Sequence, residues 1–163
     1  MQKLTLVLTL TLLNMTTYAQ EKTPSNKHFW YSLETTASAA TIWNIWTNVP
    51  SWKEWDSGLK DASIMEDFSY KAKGTIISLE GRKSRFKVIE FEQGRSYTIK
   101  TVLPLGSLCV KRSLSSQNGK TLFTHEVWFS GLTGGIFAKA FGAKFREMLP
   151  EVLENIKRKA EGS

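Results

Sequence analysis

The segment Val49-Pro50-Ser51-Trp52-Lys53-Glu54-Trp55-Asp56 decides how this chain folds. It places two tryptophans three residues apart, directly after a short helical pattern and before a long run of strand-like sequence. Each indole buries about 150–250 Å² when it is covered, so the pair needs a wall on which to pack. The segment is therefore predicted to be a junction where a short helix closes against a sheet. We expect Trp52 and Trp55 to serve packing more than ligand contact.

The sequence on both sides of this junction has the periodicity of strands. Aromatic and polar residues alternate from His28 to Thr36, and Ser38 then caps a helix whose apolar face ends before Pro50. After the junction, turn signals separate six strand-like runs, and Asn118-Gly119 is the strongest because a type I′ turn needs positive φ at both central residues. Short hairpin connections predict an antiparallel meander. The runs are approximately 59–67, 74–80, 84–91, 96–103, 108–116 and 121–130.

A long amphipathic helix is predicted to follow the strands, from Thr133 or Gly134 to about Ala160, with Pro150 inside it as a source of a kink. The order predicts an α+β, helix-grip fold. A curved antiparallel sheet of six to seven strands, two short helices and one long C-terminal helix would enclose a cavity suited to a small molecule. The apolar stripe of the helix contains Phe137, Phe141, Phe145, Met148, Val152 and Ile156.

Length and composition limit the class of protein. The chain has 163 residues, enough for one domain with a core, and its 41% hydrophobic and 23% charged residues argue against disorder. The formal net charge is +7, but the basic residues are scattered, so we predict no nucleic-acid partner. Weak contact with an anionic lipid surface is compatible with this charge, and no protein partner is predicted.

The first residues have the pattern of a secretory signal peptide. Lys3 precedes the apolar stretch Leu4–Leu13, and Thr17-Tyr18-Ala19 fits a cleavage site near Ala19. The apolar stretch is shorter than the roughly 20 residues that span a bilayer, although a retained anchor is the alternative. The predicted organisation is a signal peptide over 1–19, a linker over 20–27 and one domain over 28–161. Export to the periplasm or the medium follows as an expectation.

Several short stretches together resemble a known superfamily. The chain resembles the START-like superfamily, also called SRPBCC or helix-grip, and within it the bacterial polyketide cyclase/dehydrase and lipid-transport group. The resemblance covers about residues 28 to 160 and implies a ligand-binding cavity between sheet and helix, but no single activity. It is carried by the helix 37–46, Pro50-Ser51-Trp52 with Trp55, Gly74 before a strand, Val88-Ile89-Glu90, the stretch 124–131 and the glycine-rich entry to the last helix.

Strand alternation selects the side chains that face this predicted cavity. His125 could hydrogen-bond a ligand carbonyl or act as a general acid or base, and its alternative is a histidine satisfied by a neighbour. Arg112 could bind a ligand carboxylate if it points inward, and its alternative is a surface arginine. The phenylalanine stripe is interpreted as core and cavity wall. The predicted cavity residues are Phe86, Val88, Tyr97, Ile99, Thr101, Arg112, Phe123, His125, Val127, Phe137, Phe141 and Phe145.

No metal, cofactor or catalytic motif is predicted. Two histidines and the lone Cys109 lack ligand spacing, and Cys109 lies in a strand-like run that favours a buried, inert thiol. The stretch 131–135 lacks the Gly-Lys-Ser/Thr of a phosphate loop. We assign no catalytic residue from the sequence; His125 and Arg112 are the candidates if the protein is an enzyme.

Three functions remain open from the sequence. The leading hypothesis is an exported, non-catalytic binding or carrier protein for a small hydrophobic, lipid-like ligand. The first alternative is an enzyme of the polyketide cyclase/dehydratase kind. The second is an envelope interaction module whose core is filled by its own aromatic side chains.

Overall fold

The computed structural model describes residues 24–162, so the predicted signal peptide and residues 20–23 of the predicted linker lie outside it. Within these residues seven strands form one antiparallel sheet in the order β1-β7-β6-β5-β4-β3-β2. The α+β helix-grip fold predicted from the sequence is confirmed. The strands are β1 (His28–Thr35), β2 (Leu59–Ile64), β3 (Lys73–Ser78), β4 (Lys83–Glu92), β5 (Ser96–Leu103), β6 (Gly106–Gln117) and β7 (Lys120–Gly131).

The helical elements lie at two points of the chain. Helix α1 (Ala39–Thr47) and the 3-10 helix Val49–Glu54 connect β1 to β2. After β7, α2 (Gly134–Phe137) continues through the π-helical segment Ala138–Gly142 into α3 (Ala143–Glu161). None of the helices within residues 24–162 is both long enough and apolar enough to cross a membrane.

Local chemistry explains the ends of these elements. The side chain of Ser38 accepts a hydrogen bond from the backbone N–H of Thr41 at 3.1 Å, which caps α1. Asn118 and Gly119 have φ of 52° and 76°, the positive values that a type I′ turn between β6 and β7 requires.

A register shift in β4 changes which side chains face inward. Phe86 and Val88 pair with Thr101 and Ile99, but a shift between Val88 and Glu90 then places Phe91 opposite Tyr97. Because one extra residue inverts the alternation, Phe91 joins the same face as Val88 although their numbers differ in parity. The strand therefore contributes three inward side chains across its bulge.

The C-terminal helix covers the concave face of the sheet. Leu149, Val152, Leu153 and Ile156 of α3 are buried in the same core as the tryptophans of α1 and of the 3-10 helix. The π-helical segment that leads into α3 passes close to the residues just before β1, because a Cβ on Gly142 would lie 2.0 Å from the backbone oxygen of Asn26. The core thus lies between the sheet, α1 and α3.

Candidate ligand-binding site around Arg112

Three neighbouring strands place a row of polar side chains in the interior. Tyr97 of β5 pairs with Arg112 of β6, and Arg112 pairs with His125 of β7. Directly opposed residues share a face, so the three side chains lie side by side. Their exposed fractions are 0%, 3% and 1%, so the row is buried. Arg112 is therefore not the surface arginine that the sequence left as an alternative. Arg112 points inward.

Aromatic rings surround the guanidinium of Arg112. Its Cζ lies 4.6 Å from the ring centroid of Trp52 and 4.8 Å from that of Trp55, within the range of a cation–π contact. One of its terminal nitrogens donates a hydrogen bond to the Tyr97 hydroxyl at 2.5 Å. The Tyr97 hydroxyl in turn donates to the backbone oxygen of Trp46 at 3.1 Å. The guanidinium charge therefore contacts the ring faces of Trp52 and Trp55 and the phenol oxygen of Tyr97.

No carboxylate forms an ion pair with Arg112 among residues 24–162. Asp56, next to Trp55, is near enough for Arg112 to lower the pKa of its carboxyl, but the dominant effect is burial, which raises that pKa. The backbone N–H of Gly58 donates to Asp56 Oδ1 at 3.0 Å and also favours the charged carboxylate. Arg112 therefore carries a buried charge without a directly bound counter-ion.

Four buried polar atoms close to this row have no hydrogen-bond partner within the described residues. They belong to Arg112, His125, Trp46 and Trp55. The His125 ring lies 5.4 Å from that of Trp46 and 6.3 Å from that of Trp55, so the four side chains form one cluster. An unsatisfied buried polar group costs about 1–3 kcal/mol, so such groups bond to water or to a ligand. The atoms are Arg112 Nε, His125 Nε2, Trp46 Nε1 and Trp55 Nε1.

Burial sets the protonation of the cluster. It lowers the pKa of His125 well below 6.5, and the charge of Arg112 lowers it further, so the imidazole is neutral at pH 7. Burial also raises the pKa of the Tyr97 phenol, although the Arg112 guanidinium opposes this. The site thus presents one fixed positive charge, a neutral imidazole and a phenol. Such a set can receive an anion or a carbonyl oxygen.

The nine predicted cavity residues on strands are all buried, between 0% and 6% exposed. The three on the helix differ: Phe137, Phe141 and Phe145 are only partly buried. Phe137 stacks on Phe141, and Phe145 stacks on Phe129 of β7, so this group packs away from the Arg112 row. Ligand contact by each of the twelve stays a prediction. The strand residues are Phe86, Val88, Tyr97, Ile99, Thr101, Arg112, Phe123, His125 and Val127.

The tryptophan junction has two roles at once. The indole N–H of Trp52 donates to the backbone oxygen of Trp46 at 2.8 Å, and its ring stacks on Phe86 at 5.4 Å. These contacts close the 3-10 helix against α1 and the sheet, as expected for packing. The same ring and that of Trp55 also cover the guanidinium of Arg112. Packing and the polar site therefore share these side chains.

Sequence reasoning misses three members of the site. The sequence pattern places Trp46 on the apolar face of a helix, Asp56 in the turn, and Phe68 just after a strand. The Phe68 ring lies 4.6 Å from that of Tyr97 and 6.4 Å from that of Trp52, and it is only partly buried. Phe68 belongs to the loop between β2 and β3, and its partly exposed ring packs on Tyr97 of the row. The available signal is an aromatic residue within the otherwise polar stretch 66–69.

Buried aromatic side chains pack around the Arg112 row in the core between the sheet and α3. Two clefts among residues 24–162 lie elsewhere, one on the outer face around His28 and Glu126, the other near the β6–β7 turn at Gly119. Because Arg112 is 3% exposed, a ligand reaches it only if a side chain moves. Phe68 is a candidate for this movement, because it is partly exposed and lies on a loop.

Comparison with protein families shows which family the chain belongs to. A family model described as polyketide cyclase / dehydrase and lipid transport matches residues 28–161. The chain belongs to this family. The match covers the sheet and all three helices, and it agrees with the SRPBCC resemblance seen in the sequence. No curated protein matches the chain.

Solved structures show the same fold for this member of the polyketide cyclase / dehydrase and lipid transport family. A protein from Thermus thermophilus superposes with a TM-score of 0.65 at 8% identity, covering 83% of this chain and 97% of its own. Truncated norcoclaurine synthase from Thalictrum flavum gives 0.60 at 14% identity, with 81% and 91% covered. The di-domain ARO/CYC protein of the steffimycin pathway gives 0.66 at 10% identity, with 83% and 50% covered. These identities establish the fold alone.

Proposed function

We propose that this family member binds a small ligand with an apolar body and an acidic head, and that it carries the ligand without chemical change. The observation that carries this proposal is the buried guanidinium of Arg112, which has no paired carboxylate within residues 24–162 and an unpartnered Nε. A ligand carboxylate would supply the missing counter-ion. The surrounding aromatic rings suit a hydrophobic, lipid-like body.

The electrostatics favour such an anion over a neutral head group. Taking an isolated charge out of water costs several kcal/mol, and removing that cost requires an opposite charge with good geometry. Arginine presents donors in a planar fork that matches a carboxylate, and such charge-assisted bonds contribute about 1.5–3 kcal/mol. The unpartnered nitrogens of His125, Trp46 and Trp55 add hydrogen-bonding capacity beside it.

Phe68 supplies the route by which a ligand reaches the row. Its ring packs on Tyr97, the hydrogen-bond partner of Arg112, and it is partly exposed on the loop between β2 and β3. Displacing one ring from a loop disturbs less packing than displacing Trp52 or Trp55, which are 1% exposed. We therefore propose that the ligand body takes the position that Phe68 now occupies.

Native mass spectrometry of the purified protein, with displacement of an environment-sensitive apolar dye, tests the binding proposal. A co-purifying lipid-like acid, or dye binding at micromolar level that a fatty acid reverses, supports it. Phe68→Ala should speed ligand association, whereas Tyr70→Ala, on the same loop and 56% exposed in wild type, should not. If neither lipid nor dye binds to wild type or Phe68→Ala, the filled-core interaction module becomes the better description.

One observation favours an enzyme of the cyclase/dehydratase kind as the second candidate. His125 is a neutral, buried imidazole with a free Nε2, and the charge of Arg112 lies beside it. The His125 imidazole could act as a general base that removes a proton, and the Arg112 guanidinium could stabilise the resulting enolate. Turnover of a poly-β-carbonyl probe by wild type, lost in a folded His125→Ala variant, would establish this activity. Unchanged turnover would remove His125 from that role.

Export of the protein is a separate proposal. It rests on the residues 1–19, which have the sequence pattern of a signal peptide. N-terminal sequencing of the protein from a periplasmic fraction tests it. A mature chain that begins near Gln20 supports export, and a cytoplasmic chain that retains Met1 contradicts it.

A further inference from the structure

Exposed apolar side chains are concentrated at one end of the sheet. Among residues 24–162, eight large hydrophobic side chains are exposed, and five of them lie at the end that holds the β3–β4 turn, the β5–β6 turn and the β7–α2 loop. We call these five the apolar rim; they are Leu79 (61% exposed), Val102 (74%), Leu105 (74%), Leu132 (88%) and Ile136 (69%).

A side-chain hydrogen bond and a close backbone approach connect the β7–α2 loop to the β5–β6 turn. The hydroxyl of Thr133 donates to the backbone oxygen of Pro104 at 2.5 Å, which ties the β7–α2 loop to the β5–β6 turn. Gly131, at φ 84°, pairs with Gly106, and a Cβ on Gly131 would lie 2.6 Å from the Gly106 Cα. The exposed side chains of the residues between these contacts, Leu105 and Leu132, are therefore presented from a fixed platform.

Leu105 adopts a backbone conformation that leucine seldom takes. Its φ is +55°, in the left-handed region that glycine or asparagine occupies with less strain. The side chain is 74% exposed, so burial of leucine does not offset this cost. Residues held in strained backbone conformations concentrate at functional sites. An exposed leucine at the tip of this turn is thus a costly choice that folding alone does not explain.

The side chains beside the rim are mainly basic. Lys139 follows Ile136 by one helical turn, while Arg82 packs over the Phe141 ring at 5.4 Å and brings the β3–β4 turn to the same helix. Lys83 and Lys144 are exposed nearby, and Glu80, the partner of Lys144 at 3.1 Å, is the one carboxylate of this turn. Over residues 79–83, 102–107 and 131–144, which carry the rim, there are four basic groups and one acid, so the surround of the rim is positive.

We propose that the apolar rim docks the protein on an anionic lipid bilayer. The tips of three separate connections would enter the interfacial layer, and the surrounding lysines and arginine would lie at the headgroups. Protruding leucines on separate turns suit a deformable lipid surface more than a flat protein interface. A second copy of the chain is a poor occupant, because its rim carries the same positive charge. This proposal does not depend on the ligand at Arg112.

Co-sedimentation with vesicles tests the docking proposal. The full chain should bind vesicles of phosphatidylcholine and phosphatidylserine in equal parts more tightly than pure phosphatidylcholine, and salt should weaken the binding. The double variant Leu105→Ser, Leu132→Ser should bind the anionic vesicles about tenfold more weakly. The matched control Met65→Ser, Tyr70→Ser alters exposed apolar residues outside the rim and should bind as wild type does.

A position-specific measurement separates the rim from residues 1–19, which every variant shares. An environment-sensitive fluorophore on Leu132→Cys should shift to the blue when anionic vesicles are added, whereas the same fluorophore on Met65→Cys should not. Cys109 is 4% exposed and should not be labelled. Equal shifts at both positions, or a double serine variant that binds anionic vesicles as tightly as wild type, would overturn the proposal.

Discussion

At the scale of single residues, burial and the charge of Arg112 determine the protonation of His125. They are directly paired across β6 and β7 and are 3% and 1% exposed, so their electrostatic interaction passes through a poorly polarisable interior. An arginine stays charged in this environment, and the histidine therefore stays neutral. This division leaves the row with a single positive charge on which an acidic ligand can be bound.

The depressed pKa of His125 predicts how stability depends on pH. Below pH 6.5 the unfolded chain protonates this residue while the native protein does not, so the free energy of unfolding falls as pH falls. The loss approaches about 1.4 kcal/mol per pH unit for one proton. Urea unfolding of wild type and His125→Gln at several pH values measures it. The difference between the two curves should change with pH below 6.5 and level off above it; a constant difference would contradict the assignment.

Trp52 is predicted to be the most costly single truncation at the junction. Trp52→Ala should lower the free energy of unfolding by about 3–5 kcal/mol, because the ring is 1% exposed and stacks on Phe86. Trp52→Phe keeps a ring and loses the bond to the Trp46 oxygen, which Tyr97 still satisfies, so it should cost about 1–2 kcal/mol. Chemical denaturation compares them. An alanine variant with near wild-type stability would contradict the packing role.

At the scale of elements, the sequence predicts most strands and fails where a local pattern has two readings. β5 is predicted at its observed bounds, because Ser96–Leu103 alternates cleanly between turn signals. The run predicted over 59–67 ends at Ile64, because the chain leaves the sheet there and brings Phe68 over Tyr97. The π-helical segment Ala138–Gly142 is invisible in the sequence, since phenylalanines four apart fit an α-helix equally well.

The helix around Gly142 gives an element-scale prediction. Gly142→Ala should destabilise the protein by about 1–3 kcal/mol, because the new Cβ would meet the Asn26 backbone oxygen at 2.0 Å. The matched control is Gly135→Ala in α2, where a Cβ meets nothing within 4 Å and alanine should stabilise the helix by up to about 1 kcal/mol. Thermal unfolding measures both. Similar effects of the two substitutions would contradict the close approach of the helix to Asn26.

At the scale of the whole molecule, the candidate site is only partly predictable. Alternation along single strands predicts that Tyr97, Arg112 and His125 face inward. The observed register then places the three side chains next to one another. It cannot reveal the aromatic cover, since Trp46, Trp52 and Phe68 reach the row from three other elements. The fold class predicts a cavity, but it does not predict which side chains fill that space. That information lies in long-range packing.

The central claim is that Arg112 holds the acidic head of an apolar ligand, and a matched pair of ligands tests it most directly. Dodecanoate and methyl dodecanoate share a tail and differ in charge, so their dissociation constants isolate the head group. For the wild-type protein the acid should bind about ten- to a hundredfold more tightly, as expected for a charge-assisted pair of about 1.5–3 kcal/mol. In Arg112→Met, checked for folding by thermal unfolding, this preference should disappear. Equal affinity of wild type for acid and ester, or a preference that survives in Arg112→Met, would contradict the claim.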